Sequence, residues 1–261
     1  SDLREFLPYV SYLHSSHPDF TITSLVSPKG YFMDGKDAGH FDNRGAIGIP
    51  VTEDIDSALR DTQALVIPDS PVCSRMRTTI LNQIKSALKM GHSVYCAMQL
   101  EEAEISELSS MSEKGEFIYL NLPENDIASR WRSDKIEEFD IPVVFIGEVM
   151  EDNQAADLLF SLTALFQKEG YQVSAVSPDA NIRLSGLHSY PLSFSSSASD
   201  EDKVVFFNQY VHSIAENEHP DIILIQLAGG MIKYNNAHLN GMGIGAYLVS
   251  QAVQADGVIV S

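Results

Sequence analysis

The stretch FIGEVMEDNQAADLLFSL, residues 145–162, has the order of an apolar strand, a short polar turn and an amphipathic helix. The phosphate-binding Walker A loop, with the pattern G-x-x-x-x-G-K-[ST], has the same order. Counted from Gly147, the closing glycine, lysine and hydroxyl residue of that pattern fall on Asp152, Asn153 and Gln154. A working loop needs the lysine to neutralise phosphate charge and the hydroxyl to hold magnesium. The residue types therefore predict a degenerate P-loop, with the backbone outline but without the chemistry.

The charges of this segment point the same way. Between Gly147 and the helix there is no cation, only three carboxylates: Glu148, Glu151 and Asp152. Carboxylates at a helix N-terminus satisfy the helix dipole themselves and repel a triphosphate. In the later apolar run IILIQLAGG (222–230), Gln226 stands where P-loop enzymes have a metal-holding acid. We therefore expect no ATP hydrolysis and no cofactor.

The richest polar segment is AGGMIKYNNAHLNGMGIG, residues 228–245, which follows a predicted central strand. Open parallel sheets bind ligands beyond the carboxyl ends of their strands. Amide and imidazole groups there could orient a carboxylate or a peptide backbone by hydrogen bonds. The candidate ligand-binding residues are Lys233, Tyr234, Asn235, Asn236, His238 and Asn240. The alternative is a tight loop in which glycine and asparagine serve turns and caps.

A second polar segment is YFMDGKDAGHFDNRG, residues 31–45. Its charged and imidazole side chains include residue types that bind metals, but their spacing matches no metal motif and no metal site is predicted. The alternatives are a loop that folds over a cleft between domains and an ordinary polar loop. The side chains concerned are Asp34, Lys36, Asp37, His40, Asp42 and Arg44.

The cysteines and two of the histidines give weaker signals. Cys73 precedes a predicted helix whose N-terminus would lower a thiol pKa. Cys96 lies within the apolar run VYCAM and is expected in the core, while His188 and His212 are expected to be structural or solvated. No CxxC, HExxH or Ser-His-Asp spacing is present.

The hydrophobic pattern places these segments on alternating strands and helices. After a helix at 3–14, strands are predicted at 21–27, 64–70, 93–99 and 116–122, with helices at 52–61, 74–91 and 101–110. The alternation restarts with strands at 142–147, 171–177, 221–228 and 257–261, and with helices at 154–169, 201–216 and 244–254. Such alternation predicts parallel sheets built from right-handed βαβ units.

The predicted fold class is α/β, with two tandem three-layer α/β domains, mainly parallel sheets, and a second domain that resembles a P-loop NTPase fold. Residues 1–130 would form a Rossmann-like domain whose first strand is expected to precede Ser1. Residues 131–261 would form the degenerate P-loop-like domain and are expected to continue beyond the final strand.

Composition limits the compartment and the partners. The 261 residues are 44% apolar and 20% charged, which is typical of a globular protein, and no apolar run approaches the length of a membrane span. Two cysteines are too few for a disulfide framework and favour the cytoplasm. The net charge of −19 disfavours nucleic acid and membrane surfaces, and fits plain solubility or a basic protein or peptide partner. A homo-oligomer is left open.

Two longer segments carry a family resemblance. The pattern YVSYLH…ITSLVSPKGY…DGKDAG…IPVTEDIDSALRDTQALVIPDS and the run PDIILIQLAGGMIKYNNAHLNGMGIGAYLVSQAVQADGVIVS resemble the peptide maturation system proteins encoded beside small cysteine-rich clostridial peptides. The resemblance implies a place in a peptide-modification gene group, with a peptide or a peptide-modifying enzyme as partner. The outline is also similar to a more distant family with a Rossmann-like domain before a dethiobiotin-synthetase-like P-loop domain, some members of which act on D-amino acids. The P-loop lysine of that family is replaced here by Asn153.

Two main functional hypotheses follow. The first is an accessory or binding protein of a peptide-maturation system, built on a nucleotide-binding-like scaffold without a working Walker A loop. The alternative is an enzyme of ligase or transferase type that acts on a small amino-acid or peptide substrate in the inter-domain cleft. A third is that the first domain alone binds a small ligand; no G-x-G-x-x-G lies between a strand and a helix to favour a dinucleotide.

Overall fold

A computed structural model of the protein describes residues 2–16, 20–41, 45–111, 115–121, 135–138, 140–150, 154–190, 197–233, 235–237 and 240–261. The chain is a mixed α/β protein with mainly parallel sheets. It divides into two compact units, Ser1–Asn121 and Leu122–Ser261. The boundary predicted at 130/131 lies in a stretch outside the described residues. None of the described helices has the length and hydropathy that a membrane span requires.

The first unit contains two small parallel sheets. Helix α1 (Asp2–Ser16) runs through Pro8, and β1 (Leu25–Val26) pairs with β2 (Val51–Thr52). Then follow α2 (Ile55–Leu59), β3 (Ala64–Ile67), α3 (Pro71–Arg75), α4 (Arg77–Met90), β4 (Ser93–Cys96), α5 (Glu102–Ser110) and β5 (Phe117–Tyr119). Strands β3, β4 and β5 form a parallel sheet in that order. Ile84, Leu88, Val94, Cys96 and Leu108 are at most 1% exposed in its core, so helices and sheet share one apolar layer.

The second unit is built on a five-stranded parallel sheet. Its elements are β6 (Val143–Glu148), α6 (Gln154–Lys168), β7 (Val173–Ser177), β8 (His188–Ser189), α7 (Asp200–Glu218), β9 (Ile222–Gly230), α8 (Ile244–Ala252) and β10 (Gly257–Val260). The strand order is β10-β6-β9-β7-β8, so β9 lies between the first two strands of the unit.

Helices pack on both faces of this sheet, where they contact alternate residues of the strands. Phe145, Ile223 and Ile225 belong to one core cluster with Phe207 of α7 and Val249 of α8. The residues between them in sequence point to the opposite face, because side chains alternate along a strand. Helix α6 packs there with Leu159 and Phe160 buried. All strands of the sheet run in one direction, so their carboxyl ends meet at a single edge, called the carboxyl edge below.

Several predicted elements need correction. The strand predicted at 21–27 is confined to Leu25–Val26. The helix predicted at 74–91 is two helices, since Met76 has φ −99° and ψ 20° and interrupts the helical path. The helix predicted from residue 52 begins at Ile55, because the Asp54 side chain, and not Thr52, accepts the Ser57 N–H as a cap.

The segment between the strand predicted at 171–177 and the helix predicted at 201–216 also contains structure. A 3₁₀ helix, Ala180–Ser185, starts after Asp179, whose side chain accepts the Asn181 N–H, and strand β8 follows it. Both are too short for hydrophobic periodicity to reveal, which explains why the sequence pattern missed them.

Candidate functional site

The segments that follow β6 and β9 lie side by side at the carboxyl edge. Met231 N donates to Glu148 O at 3.0 Å, and Ile232 N donates to Val149 O at 3.2 Å. On the other side of β6, Val149 N donates to Ser261 O at 3.0 Å. The structure thus brings together the first residues of the predicted degenerate loop and the first residues of the polar segment 228–245, which are far apart in sequence.

Glu148 is the residue that connects strand β6 to helix α6. It is the last residue of β6, it is only 6% exposed, and its Oε1 accepts the Ala155 N–H at 2.6 Å. Ala155 is the second residue of α6, where backbone N–H groups have no partner within the helix and the dipole is positive. A phosphate would bind at such a place; here a carboxylate of the chain itself accepts the N–H.

Gly147 lies in close contact with side chains of the β9 region. A Cβ at this position would lie 2.5 Å from the Met231 Cε and 3.2 Å from the Leu227 Cδ1. The missing side chain therefore makes room for β9 and for the residue that follows it. Of the other P-loop positions, Gln154 begins α6 with an exposed side chain, while Asp152 and Asn153 lie outside the described residues.

Gln226 and Ser177 form an uncharged polar pair beside Glu148. Ser177 Oγ, at the end of β7, donates to Gln226 Oε1 on β9 at 2.9 Å. Gln226 is paired with Ile146, two residues before Glu148, so the pair and the carboxylate lie at neighbouring strands of one edge. The Gln226 amide lacks the negative charge of a carboxylate, and its oxygen already accepts the Ser177 hydroxyl, so the pair is a hydrogen-bonding group without charge.

Tyr190 contacts the backbone of Gln226. Its hydroxyl donates to the main-chain oxygen of Gln226, and the ring packs against Phe207 at 4.7 Å between centroids. Burial raises the pKa of Tyr190, so the group stays a neutral donor at physiological pH. The sequence analysis missed Ser177 and Tyr190. Ser177 ends strand β7 and Tyr190 follows strand β8, and a position at a strand end was the one sequence signal that could have indicated them.

The described candidates of the segment 228–245 interact with one another. Lys233 Nζ donates to Asn236 Oδ1 at 2.7 Å, and Asn235 Oδ1 accepts the Ala237 N–H at 2.8 Å. All three candidate side chains are exposed. Asn240 begins a 3₁₀ turn, Asn240–Gly243, while Tyr234 and His238 lie outside the described residues.

Glycines fix the course of this segment. Gly243 has φ 76°, which favours glycine, and it caps α8. A Cβ at Gly245 would lie 2.6 Å from the Ala228 carbonyl oxygen, so helix α8 starts in direct contact with the backbone of β9. The glycines therefore serve turn geometry and close packing, which is the role that a tight loop would give them.

The segment 31–45 is organised by one carboxylate. Asp37 accepts backbone N–H groups from Gly39 at 2.9 Å, Ile47 at 2.9 Å and Gly48 at 2.8 Å. These hydrogen bonds, of which the one from Ile47 has the largest effect, hold the pKa of Asp37 below its usual value. Asp34 accepts the Glu53 N–H at 3.0 Å, and Lys36 and His40 are exposed. Asp42 and Arg44 lie outside the described residues, and the described part of the chain holds no group of three metal-binding side chains.

The cysteines belong to the core of the first unit. Cys73 is buried in α3, where its N–H bonds to Ser70 Oγ at 3.1 Å. Cys96 is fully buried, and burial raises its pKa to about 12. A thiol with that pKa is not a nucleophile at neutral pH. His188 bonds Glu218 Oε1 at 2.7 Å through Nε2, which joins β8 to α7.

Comparison with known proteins supports the fold. No protein-family model matches the sequence, and no curated protein matches it either. Among solved structures, the chain is similar to a DUF1611 family protein from Anabaena variabilis, with a TM-score of 0.57 and 14% sequence identity. The similarity covers 87% of this chain and 63% of that protein's chain. At this identity the likeness concerns the α/β fold alone.

Proposed function

We propose that this chain is a binding protein of a peptide-maturation system, built on a nucleotide-binding-like scaffold that does not use nucleotide. The observation that supports a scaffold without nucleotide is the hydrogen bond of 2.6 Å from Ala155 N to Glu148 Oε1. The peptide-maturation part is supported by the resemblance of the two quoted segments. The strand order, in which β6 is flanked by β9 and β10, supports the P-loop-like outline of the second unit.

A phosphate that approaches the start of α6 would be repelled. It would meet the Glu148 carboxylate, and two like charges about 4 Å apart cost about 4 kcal/mol at an effective dielectric constant of about 20. That energy corresponds to roughly a thousandfold in affinity. The P-loop lysine that would offset it is replaced by Asn153, and the metal-holding acid by Gln226. Nucleotide would therefore meet an Ala155 N–H that already has an acceptor, and the sequence 147–157 offers no cation to compensate.

A ligand suited to this edge is uncharged or basic at the points of contact. The half-buried Gln226 amide, whose oxygen accepts the hydroxyl of the fully buried Ser177, carries N–H donors that match the carbonyl oxygens of a peptide backbone. No observation on the described residues favours the ligase or transferase alternative over binding, and that alternative stays a prediction.

The test is a thermal-shift titration of the full chain. ATP and GTP with magnesium form one arm, and a synthetic cysteine-rich peptide of the kind such systems modify forms the other. We expect no rise of Tm with nucleotide and a rise with the peptide. A magnesium-dependent rise with ATP or GTP would contradict the proposal, because it would show that backbone amides bind phosphate despite Glu148.

A further inference from the structure

Exposed apolar side chains surround the carboxyl edge. The residues that follow β6 and β9, together with the start of α8, present six large apolar side chains that are between 42% and 62% exposed. These are Val149, Met150, Ile232, Met242, Ile244 and Tyr247, here called the edge patch. Isolated exposed apolar residues are ordinary, whereas a group of them at a ligand-binding edge marks an interaction surface.

The patch is continuous through the backbone. Ile232 N donates to Val149 O at 3.2 Å, which joins the β6 side to the β9 side. Gly243, between Met242 and Ile244, approaches the same β9 extension, because a Cβ there would lie 3.1 Å from Met231 O. Tyr247 follows Ile244 by three residues and shares its face of α8.

The composition of the patch favours an adaptable surface. Met150 and Met242 have unbranched, polarizable side chains that repack against different apolar partners. Tyr247 adds a large ring with a polar tip, which is common in protein and peptide interfaces. The patch therefore fits apolar side chains of a partner without demanding one shape.

The negative charge of the chain distinguishes among possible partners of the edge patch. Val149 and Met150 belong to the segment 147–157, whose sequence carries four acids and no base, and the net charge of the chain is −19, although the cation Lys233 follows Ile232. A second copy of the chain carries the same charges and is repelled, as are anionic lipid surfaces. A partner that combines apolar side chains with cations is attracted on both counts.

We propose that the edge patch binds a basic amphipathic peptide segment, whose apolar side chains cover the patch and whose cations are attracted by the net negative charge of the chain. The inference rests on the proposed function and names the peptide class and its docking surface. Helices with one apolar face bind methionine-containing surfaces in this way, with apolar anchors at i, i+3, i+4 and i+7.

The experiment uses a fluorescein-labelled amphipathic helix of leucine and lysine, about four helical turns long, in an anisotropy titration with the full chain. Two control peptides accompany it: one with the same composition in an order that forms no apolar face, and one with glutamate in place of lysine. We expect binding of the first peptide alone, with an affinity that falls as salt is raised.

Ile244→Glu and Ile232→Glu test the surface. Each is expected to weaken binding of the leucine-lysine peptide at least about tenfold, which corresponds to about 1.4 kcal/mol. Ile244→Glu places a carboxylate in the first turn of α8, which the helix dipole favours, so Tm should not fall. The matched control is Leu165→Glu on α6, at a residue that is 53% exposed and three turns from the carboxyl edge. This variant should bind the leucine-lysine peptide with the affinity of the natural chain.

The outcomes separate this inference from the proposed function. Unchanged affinity in both isoleucine variants, equal loss in Leu165→Glu, or no binding of the leucine-lysine peptide would each overturn the inference. None of these results changes the nucleotide arm of the thermal-shift test. A rise of Tm with magnesium and nucleotide, by contrast, would overturn the proposed function whatever the isoleucine variants do.

Discussion

Two carboxylates, Glu148 in the second unit and Asp37 in the first, accept backbone N–H groups in different settings. Asp37 takes three donors from its own loop, between Gly39 and Gly48. Glu148 is buried and takes the N–H of a helix that begins six residues later. The first carboxylate builds a loop, whereas the second occupies a place where parallel sheets bind ligands. The same kind of bond therefore organises a loop in one unit and fills a candidate ligand position in the other.

The largest effect on the edge is expected from Gly245→Ala. The added Cβ would lie 2.6 Å from the Ala228 carbonyl oxygen, and a backbone atom in a central strand cannot move aside easily. We expect a loss of about 1–3 kcal/mol in the free energy of unfolding, which urea denaturation followed by circular dichroism would measure. Gly147→Ala is the milder comparison, because its Cβ meets the flexible end of Met231. Equal losses in the two variants would contradict the packing argument.

The second prediction concerns Glu148 itself. Glu148→Ala leaves the buried Ala155 N–H without its carboxylate acceptor, which should cost about 1–3 kcal/mol. Glu148→Gln retains an acceptor oxygen and loses only the charge assistance, so a smaller loss of about 1 kcal/mol is expected. The same urea titration compares both. If glutamine and alanine destabilise equally, the hydrogen bond to α6 is not what Glu148 contributes.

Asp37 should make the thermal stability of the chain depend on pH. Its pKa is lowered in the folded state, so its stabilising contribution is present above the unfolded pKa of about 3.9 and is lost as pH falls through the folded value. Melting curves between about pH 7 and about pH 3 should show a steeper acid loss of Tm in the natural chain than in Asp37→Asn. At neutral pH the variant should have the lower Tm. Parallel pH profiles would mean that the three N–H donors do not favour the ionised form.

The smallest effect is expected from Lys233→Ala. The exposed Lys233 ammonium bonds only an exposed amide in the described structure, so the free energy of unfolding should change by less than about 0.5 kcal/mol. The variant therefore serves as a clean binding probe. A loss of peptide affinity without a change in stability would assign Lys233 to the ligand, and unchanged affinity would leave it as part of the turn.

The second unit follows its sequence pattern closely. The helix predicted at 154–169 is Gln154–Lys168, and the strand predicted at 221–228 is Ile222–Gly230. Long periodic segments dominate there, and their apolar residues alone determine the buried face. The first unit departs more, because short elements such as Leu25–Val26 depend on pairing with a distant segment, here Val51–Thr52.

The candidate site was predictable only in part. The ends of the strands indicate the carboxyl edge, and residue types alone show that a P-loop lysine is missing. The bond between Ser177 and Gln226, and the contact of Ile232 with Val149, depend on strand order and register. Strand order is set by the packing of the whole unit, and no local pattern encodes it.

The attachment of Glu148 to a rigid strand has a consequence for competition by dissolved anions. An intramolecular acceptor held next to its donor acts at an effective concentration far above the millimolar levels typical of short flexible tethers. Free phosphate or sulfate at ordinary buffer concentrations must compete with that value for the Ala155 N–H and lose. The Ala155 N–H thus keeps its intramolecular acceptor at ordinary buffer concentrations, and the choice of salt should alter this hydrogen bond only by screening.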